Sequence, residues 1–80
     1  MRAGDIVLHG PTSEEWVLAA VDGEQALPAG WPCTIARTVD LELIYACSGE
    51  EHRDIMRRVV ALRGDPRGSI ARAQLERSEA

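Results

Sequence analysis

Several residue types are absent or scarce in this 80-residue chain, and their scarcity limits what the protein can be. Phenylalanine, lysine and asparagine are absent, and the only aromatic residues besides histidine are Trp16, Trp31 and Tyr45. Cofactor pockets are lined mainly by large apolar and aromatic side chains. We therefore expect no cofactor, and we expect that the chain is not a self-contained enzyme with several substrates.

Long apolar runs are also missing. The longest, residues 16–21, has six residues, whereas a membrane-spanning helix needs about 20. The first residues lack the apolar stretch of a secretory signal, so we expect a cytoplasmic protein that does not enter a membrane. In a reducing cytoplasm the two cysteines, Cys33 and Cys47, are expected to be free thiols.

The formal net charge of −4 is unevenly distributed along the chain. Residues 1–51 contain nine acids and two arginines, a net charge of −7, and residues 52–80 contain four acids and seven arginines, a net charge of +3. The acidic first part opposes nonspecific binding to nucleic acid, and the basic second part allows it locally.

Short strands separated by turn residues are predicted before residue 46. The dipeptide Asp22-Gly23 favours a tight hairpin, because glycine accepts the positive φ that such a turn needs. Short strands that begin about every ten residues are typical of a small barrel or sandwich. Closure of a barrel removes exposed strand edges. The predicted strands cover residues 5–8, 15–21, 24–27, 34–39 and 41–45.

An amphipathic helix is predicted over residues 50–63. Ser48 and Glu51 have the spacing of a capping box, Asp54 and Arg58 the spacing of an ion pair, and Gly64 ends the helix. Residues 1–64 then form one domain, with the helix packed on the barrel. Residues 65–80 are a flexible or weakly helical tail, since a short second helix from Ser69 has only a thin apolar face. The predicted core is Val7, Val17, Ala19, Val21, Ile35, Leu43, Ile55, Val59 and Leu62.

An ordered set of short motifs carries a resemblance to a known group of proteins. The set comprises Gly4-Asp5-Ile6-Val7-x-His9, then Glu14-Glu15-Trp16-Val17 with Val21-Asp22-Gly23, Gly30-Trp31-Pro32, Asp40-x-x-Leu43 and Glu50-Glu51-His52. Over residues 4–62 the chain resembles small uncharacterised bacterial and prophage proteins with an SH3-like, or KOW-like, β-barrel and a C-terminal helix.

The resemblance implies a five-stranded, strongly bent barrel and no known activity, and it supplies no catalytic residues. Relatives in this group often carry cysteine just before the Gly-Trp-Pro unit and just after the aspartate. Here those positions are Ala29 and Leu41. Any metal or thiol role of such relatives therefore does not transfer to this chain.

Metal binding and hydrolysis are both disfavoured by spacing. His9, Cys33, Cys47 and His52 are enough ligands for a tetrahedral zinc site, but no two of them form the close pair that such sites use. Serines, cysteines and histidines are present without a nucleophile elbow or a phosphate-binding loop. We predict neither a metal site nor enzymatic activity.

Two binding surfaces remain as candidates. Trp31, Pro32 and Tyr45 could form an aromatic groove for an extended peptide, as in SH3-like barrels, or Trp31 could plug the barrel. Three arginines of the predicted helix form either a phosphate-contacting strip or a solvated helix face: Arg53, Arg57 and Arg58. We predict a non-enzymatic interaction module that binds another protein. The alternatives are a nucleic-acid-binding accessory protein and a homodimer or other homo-oligomeric structural subunit.

Overall fold

A computed structural model describes residues 1–30 and 35–79. Within those residues the chain forms five strands followed by two α-helices, and a short 3-10 turn, Thr38–Asp40, connects the last two strands. The strands are β1 (Ile6–His9), β2 (Glu14–Asp22), β3 (Gln25–Pro28), β4 (Ala36–Arg37) and β5 (Leu41–Tyr45). The helices are α1 (Gly49–Val60) and α2 (Pro66–Glu79).

The five strands form one antiparallel sheet in the order β4-β3-β2-β1-β5. This confirms the five predicted strands, although the fourth is shorter than expected. In the described parts of the chain β4 and β5 lie at opposite ends of the sheet and do not pair. The described sheet is therefore not closed into the predicted barrel.

The central strand β2 changes partner halfway along its length. Residues 14–17 pair with β1 and residues 18–22 pair with β3, with a shift of register between Leu18 and Ala20. A second shift, between Ile6 and Val7, leaves Ile44 of β5 as an extra residue. Such irregularities bend a strand and increase its twist.

The turn and capping predictions are confirmed. Gly23 begins the two-residue turn between β2 and β3 with a φ of +61°, a conformation that residues with a Cβ rarely adopt. At the start of α1 the Ser48 Oγ accepts from the Glu51 amide, and Glu51 Oε1 accepts from the Ser48 amide, each at 3.1 Å. Arg58 and Asp54 form the expected ion pair at 3.1 Å.

Two apolar clusters form the core. One lies between the sheet and the helices, and the other contains sheet residues alone. The first cluster comprises Ala3, Ala19, Met56, Val59 and Ala71, flanked by Ile55, Val60 and Leu75. The second comprises Val7, Leu18 and Ala26, flanked by Trp16, Val21 and Leu41.

The predicted core is partly wrong. Val7, Ala19 and Val59 are buried, and Val21 and Ile55 are half-buried. In β2 the residues next to the exposed Val17, Trp16 and Leu18, face the sheet cluster, and the register shift after Leu18 brings Val21 to the same cluster. The predicted core residues that are exposed instead are Val17, Ile35, Leu43 and Leu62.

The first helix also ends earlier than predicted, at Val60 instead of residue 63. Leu62 therefore lies in the connection to α2, outside the apolar stripe of α1. The Arg72 guanidinium of α2 donates to the carbonyl oxygens of Val60 at 2.9 Å and Leu62 at 3.0 Å. These contacts satisfy acceptors that the end of a helix leaves without an intrahelical partner.

The second helix packs on β2 and α1 through small residues. Ala71 is completely buried, and a methyl group on Gly68 would overlap the carbonyl oxygen of Leu62. The Gln74 side-chain amide donates to the carbonyl oxygen of Val21. Close packing and polar anchors, rather than a broad apolar stripe, therefore fix α2 in place.

Candidate functional site

A groove of ≈ 600 Å³ lies between α1, α2 and the N-terminal residues. Its apolar lining comes from Met56, Val60 and Leu75, all of which belong to or pack against the first cluster, between the sheet and the helices. Its polar lining consists of Arg2, His52, Arg53, Arg57 and Gln74. The groove therefore combines an apolar floor with a rim of three guanidinium groups.

Helical periodicity explains how one face of α1 supplies most of this lining. Residues four apart in a helix lie one above the other on the same face. Arg53 and Arg57 are one such pair, and Met56 and Val60 are another. The two pairs run side by side along the helix, so a cationic rim borders an apolar strip.

The third guanidinium, that of Arg2, reaches the groove because the N-terminus is bonded to the β5–α1 connection. It donates to the carbonyl oxygen of Cys47 at 3.0 Å. The amides of Arg2 and Cys47 in turn donate to the two carboxylate oxygens of Asp5, each at 2.9 Å. We call Asp5, Arg2 and Cys47 the N-terminal clasp.

His52 joins the clasp to α1. Its Nδ1 lies 2.8 Å from the carbonyl oxygen of Ala3, and because a carbonyl only accepts, Nδ1 carries the proton in this contact. The Cys47 thiol donates to the same oxygen at 3.4 Å. These contacts fix the N-terminal wall of the groove against the first turn of α1.

Two side chains of the clasp, Asp5 and Cys47, have shifted pKa values. Burial raises the pKa of the Asp5 carboxyl, but the hydrogen bonds from Cys47 and Arg2 outweigh it and the net pKa is lowered. Burial raises the pKa of the Cys47 thiol, and the neighbouring Asp5 carboxylate raises it further. Cys47 is a free, buried cysteine, and a thiol of raised pKa is a poor nucleophile at neutral pH.

The three rim arginines form no ion pair with the carboxylates that the structure describes. Among the side chains of residues 1–30 and 35–77, no carboxylate lies within 4.0 Å of the guanidinium groups of Arg2, Arg53 or Arg57. Asp54 pairs with Arg58 instead, and it borders a separate depression together with Glu50, Glu51 and Arg57. The rim therefore presents three guanidinium groups that are not held in ion pairs, with acidic side chains on the far side of Arg57.

The candidate residues identified from sequence are placed in three different regions. Arg53 and Arg57 line the groove, whereas Arg58 borders a separate depression next to Ile55 and Val59. Tyr45 lies at the end of β5 and is 46% exposed. Trp31 and Pro32 lie outside the described residues, so their platform with Tyr45 stays a prediction.

Tyr45 is bonded to the start of α1. Its hydroxyl donates to Glu51 Oε1 at 2.7 Å, the oxygen that also accepts from the Ser48 amide. The hydrogen bond to Glu51 raises the pKa of the Tyr45 hydroxyl and lowers the pKa of the Glu51 carboxyl. Tyr45 thus joins the sheet to the helix cap.

We expect Tyr45 to ionise above its ordinary value of 10.0, because losing the proton would place a phenolate beside the Glu51 carboxylate. The chain contains one tyrosine, so the ultraviolet absorbance of the phenolate follows this residue alone. Glu51→Gln should move the pKa of Tyr45 back towards its ordinary value. Identical titration curves for the two proteins would contradict the bond.

The sequence interpretation missed part of the groove. Met56 and Val60 lie on the apolar side of the predicted amphipathic helix and carry no sign of a binding site, and neither do Arg2 and Leu75. Only the three-dimensional arrangement brings the N-terminus and α2 to the same wall of α1. The arginine spacing on α1 was the one signal available from the sequence.

The described residues contain no group of three or more histidine, cysteine, aspartate or glutamate side chains that could hold a metal ion. Of the helices in the same residues, neither combines the length and the apolar character that a membrane crossing requires. Comparison with protein-family models, curated proteins and solved structures finds no match to the chain. The function is therefore argued from the geometry of the groove.

Proposed function

We propose that this chain is a non-enzymatic SH3-like interaction module that binds another protein through the groove between α1 and α2. The observation that carries the proposal is the pairing of an apolar floor, Met56, Val60 and Leu75, with a cationic rim that forms no ion pair with the described side chains. Protein-binding sites commonly have an apolar centre and a polar rim. The groove has the same arrangement of an apolar centre and a polar rim over a small area.

Several features of the sheet support the SH3-like part of the proposal. Such small barrels are sheets that bend sharply until one face encloses a core. Here β2 serves two ladders and carries a bulge, and one cluster of buried residues belongs to the sheet alone.

Nucleic-acid binding is the second candidate function, and the convergence of Arg2, Arg53 and Arg57 favours it. Phosphate groups could pair with these guanidinium groups. Phosphates would leave the apolar floor uncovered, however, and the net charge of −7 over residues 1–51 would repel the rest of a nucleic acid. A protein ligand uses both parts of the groove, so we rank it first.

The double variant Arg53→Glu/Arg57→Glu should lose protein partners that the wild type captures from a lysate of its native host. The control is the single charge reversal Arg63→Glu, because Arg63 is exposed, lies in the connection between α1 and α2 and does not line the groove. We expect the control to capture the same proteins as the wild type, measured by quantitative mass spectrometry. Equal capture by the double variant would contradict a groove-based function.

Labelled single-stranded and double-stranded oligonucleotides distinguish the second candidate. Binding through phosphates weakens steeply as salt rises. If the wild type binds an oligonucleotide at low salt, and Arg53→Glu/Arg57→Glu abolishes that binding while protein capture is unchanged, nucleic-acid binding replaces the protein-binding proposal.

A further inference from the structure

The floor of the groove sets the first requirement on its occupant. Met56 and Val60 lie one turn apart on α1, and Leu75 of α2 faces the same space. Val60 and Leu75 are half-buried, so a partner that covers them removes apolar surface from water. The occupant must therefore present at least two apolar side chains to this strip.

The walls of the groove set the second requirement. Apart from Arg2, every residue that lines it belongs to α1 or α2, and no strand does. Extended peptides bind by adding to a free sheet edge or by lying in a groove lined with tryptophan and tyrosine, and the lining of this groove contains neither a strand nor those side chains. A helical ligand satisfies its own backbone hydrogen bonds, so it needs only side-chain contacts of the kind this groove provides.

The rim sets the third requirement. The guanidinium groups of Arg2, Arg53 and Arg57 lie around the floor and form no ion pair with the side chains described for residues 1–30 and 35–77. Guanidinium groups bind carboxylates through directed, charge-assisted hydrogen bonds. Carboxylates that flank the apolar anchors of a ligand would therefore complement the rim, and basic side chains there would be repelled.

Resting on the proposed function, we infer that the partner presents an acidic amphipathic helix. Its apolar residues, spaced three or four positions apart, cover Met56, Val60 and Leu75. Its glutamates or aspartates pair with Arg2, Arg53 and Arg57. Helix-in-groove recognition uses this spacing of anchors.

A designed peptide tests the inference directly. The probe is a labelled synthetic helix of about four turns, with leucines at positions i, i+4, i+7 and i+11 and glutamates flanking them. Fluorescence anisotropy should show saturable binding to the wild-type protein. Arg53→Glu/Arg57→Glu should weaken binding at least about tenfold, and Arg63→Glu should leave it within about twofold.

Two control peptides distinguish recognition of the apolar helix face from recognition of negative charge. In one, the same residues are reordered so that the leucines do not share a face, and in the other each glutamate is replaced by lysine. Both should bind at least about tenfold more weakly than the probe. Equal binding of the reordered peptide would show that charge alone is recognised and would overturn the inference.

The floor is tested by Leu75→Ala, with circular dichroism to confirm that the fold is retained. This variant should weaken binding of the probe at least about fivefold, whereas the arginine variants test the rim without changing the core.

If no acidic helix binds but groove-dependent capture from a lysate persists, the inference fails and the proposed function stands. If groove-dependent capture is also absent, the proposed function fails with it.

Discussion

Arg67→Met should unfold much of the protein population at 25 °C or leave a fold with a strongly reduced melting temperature. The residue is 8% exposed, and one guanidinium nitrogen, Nη1, donates to the carbonyl oxygens of Pro28, Ala29 and Gly30, at 3.0, 3.1 and 3.3 Å. Two other nitrogens donate to Asp65, from Nε to Oδ1 at 3.0 Å and from Nη2 to Oδ2 at 2.6 Å. Methionine fills the space but makes none of these bonds.

The expected loss of stability follows from the hydrogen bonds and the ion pair that Arg67→Met removes. Hydrogen bonds that involve a charged group contribute about 1.5–3 kcal/mol each, so losing those to the buried carbonyl of Pro28 and to the partly exposed Asp65 costs at least about 3 kcal/mol. A chain of this length has a total stability of roughly 4–12 kcal/mol. Since each kcal/mol lowers the melting temperature of a domain this small by about 4–8 °C, a fall of at least about 12 °C is expected.

Urea denaturation followed by tryptophan fluorescence measures the loss. Arg67→Lys keeps the charge but cannot form the planar, forked contact with Asp65, so it should recover only part of the stability. Arg63→Met is the matched control, because Arg63 is exposed and should change stability by no more than about 0.5 kcal/mol. Stability of Arg67→Met equal to that of Arg63→Met would refute the anchoring role.

Arg67 also illustrates what could be predicted from the sequence and what could not. Gly64-Asp65-Pro66-Arg67-Gly68 is rich in glycine but lacks the Lys-Ser/Thr pair of a phosphate-binding loop, and no local signal shows that Arg67 anchors a helix to the sheet. Pro66 begins α2, a position that suits proline because its missing amide donor is not needed there. The partners of Arg67 on β3 and beyond lie 37 to 39 positions away in sequence.

Local features were predictable because local residues determine them. The Asp22-Gly23 turn, the capping box of Ser48 and Glu51, and the Asp54–Arg58 pair each depend on residues within four positions of one another. The five strands follow from short apolar segments between turn residues. All of these could be derived without knowledge of the tertiary structure.

The errors in the predicted core arise from features with no clear sequence signal. Uninterrupted alternation along β2 would put Val17, Ala19 and Val21 on one face, but the bulge after Leu18 reverses the phase within the strand. In β5 the extra residue Ile44 breaks the pairing with β1, and Leu43 is left 46% exposed at an edge. A bulge depends on how neighbouring strands pair, so the sequence of one strand does not reveal it.

The groove was predictable only in part, because it too depends on contacts between distant parts of the chain. Arg53 and Arg57 share a helix face by spacing alone, and they were identified as candidates. Arg2 lies about fifty positions away and reaches them through the N-terminal clasp. Sequence reasoning could identify the cationic strip, but not the opposing wall that makes it a groove.

The clasp leads to the second large expected effect, which is the loss of about 3 kcal/mol of stability in Asp5→Ala. Asp5 is 3% exposed and accepts the amides of Arg2 and Cys47. Hydrogen bonds to a charged group contribute about 1.5–3 kcal/mol each, and a buried donor left without a partner adds a penalty. Asp5→Asn should lose less, because its carbonyl oxygen can still accept one amide while its NH₂ group opposes the other.

The pH dependence of stability provides an independent measurement. The pKa of Asp5 is lowered in the folded state from an ordinary value of 3.8, so the carboxylate stabilises the fold fully only well above that value. This contribution is lost as the pH falls through 3.8 to the folded pKa. The stability difference between wild type and Asp5→Asn should therefore shrink across that window, whereas Glu76→Gln, at an exposed position on α2, should show no comparable difference at neutral pH.

Asp5 also connects stability to the groove, because the clasp it organises positions Arg2 and the N-terminal wall. In the folded fraction of Asp5→Asn, the acidic helical peptide should bind more weakly, although none of the groove residues has been changed. Arg2→Gln provides the comparison, since it removes the guanidinium directly and leaves the Asp5 carboxylate and both amides in place. If Arg2→Gln weakens binding and Asp5→Asn does not, the clasp stabilises the fold without positioning the rim, and the two roles of this segment are separate.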